Sequence, residues 1–329
     1  MTRRKPSAQT ELPLALYRKM YLIRKSEERI RELYPENEMK TPMHMSLGGE
    51  AIAVGVCDAL GPGDQVLGSY RSHGIYLART GETDKFFAEL YGRNDGMARG
   101  KAGSMHLSAP EQGLIGTSAI VASIIPVAVG AAFANKRQSN GKLVAAFFGD
   151  GAIDEGNFWE SFNVACLMKL PILFVCEDNG FAVHTPASAR HGYDSIVDIA
   201  AKFRCHVLQK DTTDVEVIYK LTRRGIGLIK TSQMPCFMYL KYYRYLEHVG
   251  VNEDFNAGYR ARTEFEEWYQ RDPVSLQRKK LLNGGVAEAD LTSIEWEVDT
   301  RIETSVARAK AAAFAPAEEL DREVFCDQH

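Results

Sequence analysis

Leu16, Met20, Ile23, Ile30 and Leu33 recur near one face of a helical wheel in LPLALYRKMYLIRKSEERIREL. That spacing predicts an amphipathic surface helix with most of its charges turned away from the packed face. LGGEAIAVGVCDALGPGDQVL reads as a small-residue helix, a Gly-Pro-Gly turn and a short strand, and TDKFFAELYGR as another amphipathic helix. NDGMARGKAGSMHLSAPEQGLIGTSA is rich in Gly and Ser and weakly periodic. A loop of that length in a compact domain is usually functional or disordered. IVASIIPVAVGAAFANKRQ restores a small-residue helix.

From residue 142 the pattern alternates. KLVAAFF predicts a strand, residues 155–168 a helix and PILFVCE a strand. CHVLQK, a helix from about Asp214, and PCFMYLKYYRY follow. Such alternation predicts an α/β fold: an open, mostly parallel sheet with helices on both faces. The charged tail from about Arg260 predicts helices and ends in a loose AFAPAEELDREVF. Residues 1–13 read as a flexible arm and 14–329 as a single domain with N- and C-terminal helical extensions; no internal repeat or low-complexity linker divides it.

Composition narrows the function. A net charge of −3, from 40 basic and 43 acidic residues, does not point to nucleic acid. No apolar run is long enough to span a membrane, and the basic start MTRRKPSAQTELP lacks the apolar core of a secretion signal. The six cysteines form no C-x-x-C pair, which argues against a zinc ribbon or disulfide framework and fits a reducing, cytoplasmic setting.

The candidate chemistry sits at the ends of two apolar runs. Asp150 follows the first, in GDG, and Asn179 follows the second at a spacing of 29 residues. Parallel strands joined by one right-handed crossover end at the same sheet edge, where ligands of open α/β sheets bind. A carboxylate and a carboxamide make a hard, oxygen-only set that suits Mg²⁺ carrying a phosphate. Gly151 would let the phosphate approach the backbone, and the next helix would point its N-terminus at the anion. Alone, a Gly-Asp-Gly is most often a turn. An EF-hand is excluded by Ala152 and Glu155 at its third and sixth positions, the latter requiring glycine. DGMARGKA is no Walker A loop, because Asp95 replaces the first glycine and Ala102 the Ser or Thr. No strand leads into G-x-G-x-x-G, so a nicotinamide dehydrogenase is unsupported.

GDG with Asn179 in CEDNGF resembles the thiamine-diphosphate motif. GGEAIAVG, YRSHGIYLA, AELYGR, GKAGSMHL, IPVAVGAA, GDGAIDEG, ESFNVACLMKLPILFVCEDN and YYRY occur in order. Together, from about Leu14 to about residue 325, the chain is similar to the alpha subunit of the decarboxylating component of 2-oxo-acid dehydrogenases, of the pyruvate, branched-chain and acetoin types. The resemblance implies the diphosphate-binding domain of the thiamine-diphosphate fold, with thiamine diphosphate and Mg²⁺ as cofactors. It implies that Asp150 and Asn179 bind Mg²⁺ by side chain and Phe181 by its main-chain carbonyl. Gly151 and Ala152 would lie along the diphosphate, which Tyr70, Arg71 and His248 would contact. Ile120 and Val121 would support the aminopyrimidine, and His44 would face the substrate. His73 and His106 stay equally open to structural roles, His184 and His191 are unassigned, and Tyr91, Met97 and Met105 read as packing.

In the family the glutamate that activates the aminopyrimidine lies in a second domain, for which the chain has no room. The resemblance therefore implies a beta subunit, an α₂β₂ assembly and a 2-oxo acid substrate, with a lipoyl acyltransferase as possible further partner. Two departures stand out. AIVAS (Ala119–Ser123) replaces GIVGA, and Leu246-Glu247-His248-Val249 replaces the His-Gly-His-Ser of the pyruvate type, removing the serine that animal enzymes phosphorylate. A two-subunit carboligase that adds the acyl unit to an aldehyde, ketone or sugar is the alternative reading, and a non-catalytic regulatory partner the third.

Overall fold

The computed structural model describes residues 8–322. The chain begins with α1 (Ala8–Leu33), α2 (Glu50–Ala59), β1 (Gln65–Ser69), α3 (His73–Thr80) and α4 (Thr83–Leu90). After a long loop come β2 (Leu114–Ser118), α5 (Ile124–Gln138), β3 (Val144–Gly149), α6 (Gly156–Leu167) and β4 (Ile172–Asp178). A two-residue hairpin, β5 (Phe181–Ala182) and β6 (Thr185–Pro186), leads to α7 (Ile196–Ala200), β7 (His206–Asp211), α8 (Val215–Ser232) and β8 (Cys236–Lys241). Helices α9 (Arg262–Tyr269), α10 (Pro273–Asn283) and α11 (Glu288–Ala311) close the chain.

Six strands form one sheet in the order β2-β1-β3-β4-β8-β7, and every neighbouring pair is parallel. The near-continuous apolar runs of β3 and β4 follow from burial on both faces. Ala145, Phe147, Leu173 and Val175 point to the face covered by α1, α2 and α8. Val144, Ala146, Phe148, Ile172, Phe174 and Cys176 point to the face covered by α5, α6 and α7. The period-two alternation of side chains thus builds two cores from one run of sequence. On α1, Leu16, Met20, Ile23, Ile30 and Leu33 are all buried, as their spacing requires.

Several boundaries differ from the sequence reading. Residues 8–13 of the expected arm are helical, since α1 starts at Ala8; residues 1–7 lie outside the described residues. The loop after α4 ends in an unforeseen strand, β2, too short and polar to show a periodicity. Helix α5 starts at Ile124, four residues later than expected. Asp150–Asp154 forms an unforeseen 3-10 turn, whereas α6 matches the helix expected at 155–168 to within one residue at each end. In the tail, Phe314 pairs with Arg93 and Ala317–Asp321 forms a further 3-10 turn; residues 323–325 lie outside the described residues. Among the described residues no helix is long and apolar enough to cross a membrane, and their five cysteines carry no disulfide.

The start of the long loop after α4 is gathered around one side chain. Glu89 is buried, and its Oε2 accepts from the main-chain N–H groups of Ala98 (2.8 Å) and Gly100 (3.1 Å). Its Oε1 accepts from Ala102 (2.7 Å) and Gly103 (3.1 Å). Four main-chain donors on one carboxylate satisfy backbone that has no strand or helix to join. His73 ties the end of this loop inward: it bonds Ser104 Oγ (2.6 Å) and Glu27 Oε1 (2.9 Å), and is wholly buried. It is a structural histidine.

Candidate active site

The strand order reverses between β1 and β3, and their carboxyl ends open onto one cleft of about 270 Å³. Tyr70 and Arg71 reach it from β1, Asp150, Gly151 and Ala152 from β3, and Glu177, Asn179 and Phe181 from β4 and the hairpin after it. Val121, Ala122, Asp154, Tyr242 and His248 also line it. Ile120 stands outside the cleft, 68% exposed, and Val121 is 44% exposed at its rim. His44 is also outside the lining, but its ring lies 4.5 Å from Tyr70 and 5.4 Å from His248.

Asp150 is buried, and its two oxygens differ. Oδ2 accepts from Arg190 Nη2, whereas Oδ1 has no hydrogen-bond partner. A buried carboxylate oxygen without a partner is uncommon and fits a cationic ligand. Burial pushes this carboxyl up to about 7; the neighbouring Asp178 carboxylate adds to the rise and Arg190 opposes it. Asn179 Oδ1 accepts from Phe181 N–H at 3.2 Å, and its Nδ2 donates to Tyr242 Oη at 3.3 Å. The amide oxygen keeps its second lone pair. Among the described residues no three His, Cys, Asp or Glu side chains gather into a metal-ligating cluster. The expected set of one carboxylate, one carboxamide and one main-chain carbonyl is of another kind.

Gly151 also meets a packing constraint. A Cβ there would lie 2.9 Å from the β-carbon of Ala182, so the glycine lets the β5–β6 hairpin rest on the 3-10 turn. Gly48, in SLGGEA, is equally constrained: its φ is 96°, and a Cβ would fall 2.1 Å from the carbonyl oxygen of Tyr243.

The loop carrying His248 is pinned from several sides. Arg71 donates to the carbonyls of Met45 (2.5 Å) and His248 (2.9 Å). Gly250 N–H donates to Met43 O at 2.7 Å, and Arg260 donates to the carbonyls of Arg244 and Leu246 and to Asp254. Burial, then the Arg71 charge, lowers His44 to about 3 and His248 to about 4, so both imidazoles are neutral near pH 7. Burial raises Glu177 to about 8, against the pull of Arg71.

Residues 18–318 match the family described as dehydrogenase E1 component. The chain belongs to this family. It is 34% identical over 315 residues to a pyruvate dehydrogenase E1 component subunit alpha of Zymomonas mobilis, covering 95% of this chain and 88% of the relative. It is 31% identical over 316 residues to the alpha subunit of an acetoin:2,6-dichlorophenolindophenol oxidoreductase of Bacillus subtilis, covering 96% and 94%. A somatic, mitochondrial pyruvate dehydrogenase E1 component subunit alpha of Bos taurus is 31% identical, with 95% and 80% covered. The dehydrogenase E1 component family is thiamine-diphosphate-dependent.

Three features of this E1-type cleft escaped the sequence reading. Arg190, from the loop after β6, bridges Asp150 and Asp154. Glu177, half-buried at the end of β4, lines the cleft. Ala122, one of the two residues that replace glycine, has a φ of 61°, in the left-handed region; Ala119 does not. Arg190 carries no sequence signal, since TPASARHG reads as plain loop. Glu177 is disguised as the end of a strand. Ala122 was visible as a departure, but its backbone angle was not.

Proposed function

We propose that the chain is the alpha subunit of a two-subunit thiamine-diphosphate enzyme that decarboxylates a 2-oxo acid and passes the acyl group to a lipoyl acceptor. The observation that carries this is the convergence of Asp150, with its unpaired Oδ1, Asn179, Arg71 and His248 on one cleft at the carboxyl edge of a parallel sheet. In an E1-type chain that set fits a diphosphate held through Mg²⁺.

Asp150 and Asn179 hold the Mg²⁺ by their side-chain oxygens and Phe181 by its carbonyl. Gly151 and Ala152 run along the diphosphate, whose oxygens meet Tyr70, Arg71 and His248. Ile120 and Val121 support the aminopyrimidine. When bound, thiamine diphosphate supplies a thiazolium ring that takes up the electron pair left as carbon dioxide departs. His44 faces the substrate side, where its Nδ1 is buried without a hydrogen-bond partner and its ring is neutral. The exposed Ile120 outside the cleft and Val121 at its rim support a beta subunit that covers them, supplies the activating glutamate and completes an α₂β₂ assembly. Residues 14–329 act as one diphosphate-binding unit. A cytoplasmic location belongs to the same proposal.

The test is carbon dioxide release from 2-oxo acids by the chain co-produced with its beta subunit. Release should require both subunits, thiamine diphosphate and Mg²⁺. Clear release by the purified chain alone would overturn the two-subunit reading. The loop Leu246–Val249, with its single histidine, favours a second reading in which the acceptor is a carbonyl compound. Product formed with an aldehyde or ketone but not with lipoamide would select it.

A further inference from the structure

Arg190 stands just outside the cleft, yet its guanidinium engages the cleft's central carboxylate. Nη2 donates to Asp150 Oδ2, Nη1 donates to Asp154 Oδ2, and Nε donates to Thr185 O at 3.2 Å. The side chain is only 10% exposed. His191 completes the arrangement: its Nε2 lies 3.0 Å from Asp154 Oδ1, and its ring stacks on Tyr193 at 4.6 Å. The loop after β6 is thereby fastened to the 3-10 turn Asp150–Asp154 through charged side chains.

We propose that Arg190 is a positioning residue for the metal site: its fork holds one oxygen of Asp150 and leaves the other, Oδ1, directed for the cation. This rests on the reading of Asp150 as a metal ligand. Two observations favour it over a role for Arg190 as a competing counter-ion. The fork takes Oδ2 alone and leaves Oδ1 buried and unpaired, so a cation can bind without displacing the arginine. Arg190 also neutralises a second carboxylate, Asp154, which lines the same cleft and would otherwise repel a diphosphate. A planar guanidinium fits this double task because its two N–H arms diverge at a set angle. Carboxylates that bind metals are commonly held by such an outer partner, and losing it costs about 10–100-fold in metal affinity.

The experiment titrates Mn²⁺, an electron-spin probe standing in for Mg²⁺, into the chain with its beta subunit and thiamine diphosphate, and reads the free-ion signal. Arg190→Gln should raise the Mn²⁺ concentration at half-saturation by about 10-fold or more, with the ligand-free melting temperature recording that it folds. Arg190→Lys, which keeps a charge but not the fork, should recover part of the loss. Asp150→Asn should abolish binding. If Asp150→Asn still binds Mn²⁺, the metal assignment itself fails. If Asp150→Asn loses binding while Arg190→Gln is unchanged or tighter, the metal assignment stands and the positioning role is overturned. A folded Arg190→Lys that recovers nothing also overturns it, since the loss then follows from the loop and not from the charge.

Discussion

Arg71 Nη2 donates to the main-chain carbonyl of His248 at 2.9 Å, across 177 residues of sequence. The same guanidinium reaches Met45 O at 2.5 Å and lines the cleft. One side chain at the end of β1 therefore places the His248 loop, sets the approach of His44 and presents a cation to the cleft. Its charge, after burial itself, also keeps both imidazoles neutral.

That neutrality has a pH consequence. Burial and the Arg71 charge hold the two histidines at about 3 and about 4 in the folded chain, below the ordinary imidazole value of 6.5. Depressed folded values mean that the unfolded chain binds more protons in that window. The stability they contribute is fully present above pH 6.5 and is lost progressively as pH falls from there through the folded values of about 4 and 3. Melting temperatures between pH 7 and 4.5 should drop more steeply for the parent than for a His44→Gln/His248→Gln variant. Parallel slopes would contradict the assignment.

Glu89→Gln should be strongly destabilising. The carboxamide turns an NH₂ toward two of the four main-chain donors that the carboxylate accepts. Leaving buried donors without an acceptor costs on the order of 2–4 kcal/mol. Urea denaturation should show a lowered midpoint, and hydrogen exchange at residues 98–103 should lose protection. Unchanged exchange there would mean that the loop is held by other contacts.

Ala122→Gly should stabilise the chain. Alanine at a φ of 61° is strained by its β-carbon, a penalty of about 1–2 kcal/mol that glycine escapes. The greater freedom of glycine in the unfolded chain offsets part of this, about 0.4–1 kcal/mol. The net gain, about 0.5–1 kcal/mol, should appear as a higher urea midpoint. A lower midpoint would show that the Ala122 methyl packs better than its backbone angle suggests.

Asp150→Ala should abolish Mg²⁺-dependent retention of thiamine diphosphate, because it removes the only charged protein ligand proposed for the ion. Asn179→Ala should weaken retention less, since it removes a neutral donor. Cofactor content after gel filtration at fixed Mg²⁺ measures both. Full occupancy in the Asp150 variant, or a larger loss in the Asn179 variant, would contradict the assignment.

The alternation of short apolar runs with helical patterns determined the parallel sheet, because a strand buried on both faces needs apolar residues in succession. It also determined that Asp150 and Asn179 meet at one edge, since β3 and β4 are parallel neighbours. Ordered motifs along the chain carried the family, because those residues are local in sequence. What the sequence left open was set by contacts between distant segments. Glu89 reads as one charge on an amphipathic helix, yet it organises a loop that begins after the helix has ended. Gly151 reads as a phosphate contact, and the close approach of Ala182 to the same glycine carries no signal in the sequence. Arg190 lies in a stretch without periodicity, and only the fold of that loop sets its guanidinium against Asp150. Periodicity records which face a residue buries; it carries no record of which remote main-chain or carboxylate group a polar side chain meets, and that is decided only when the strands are in register.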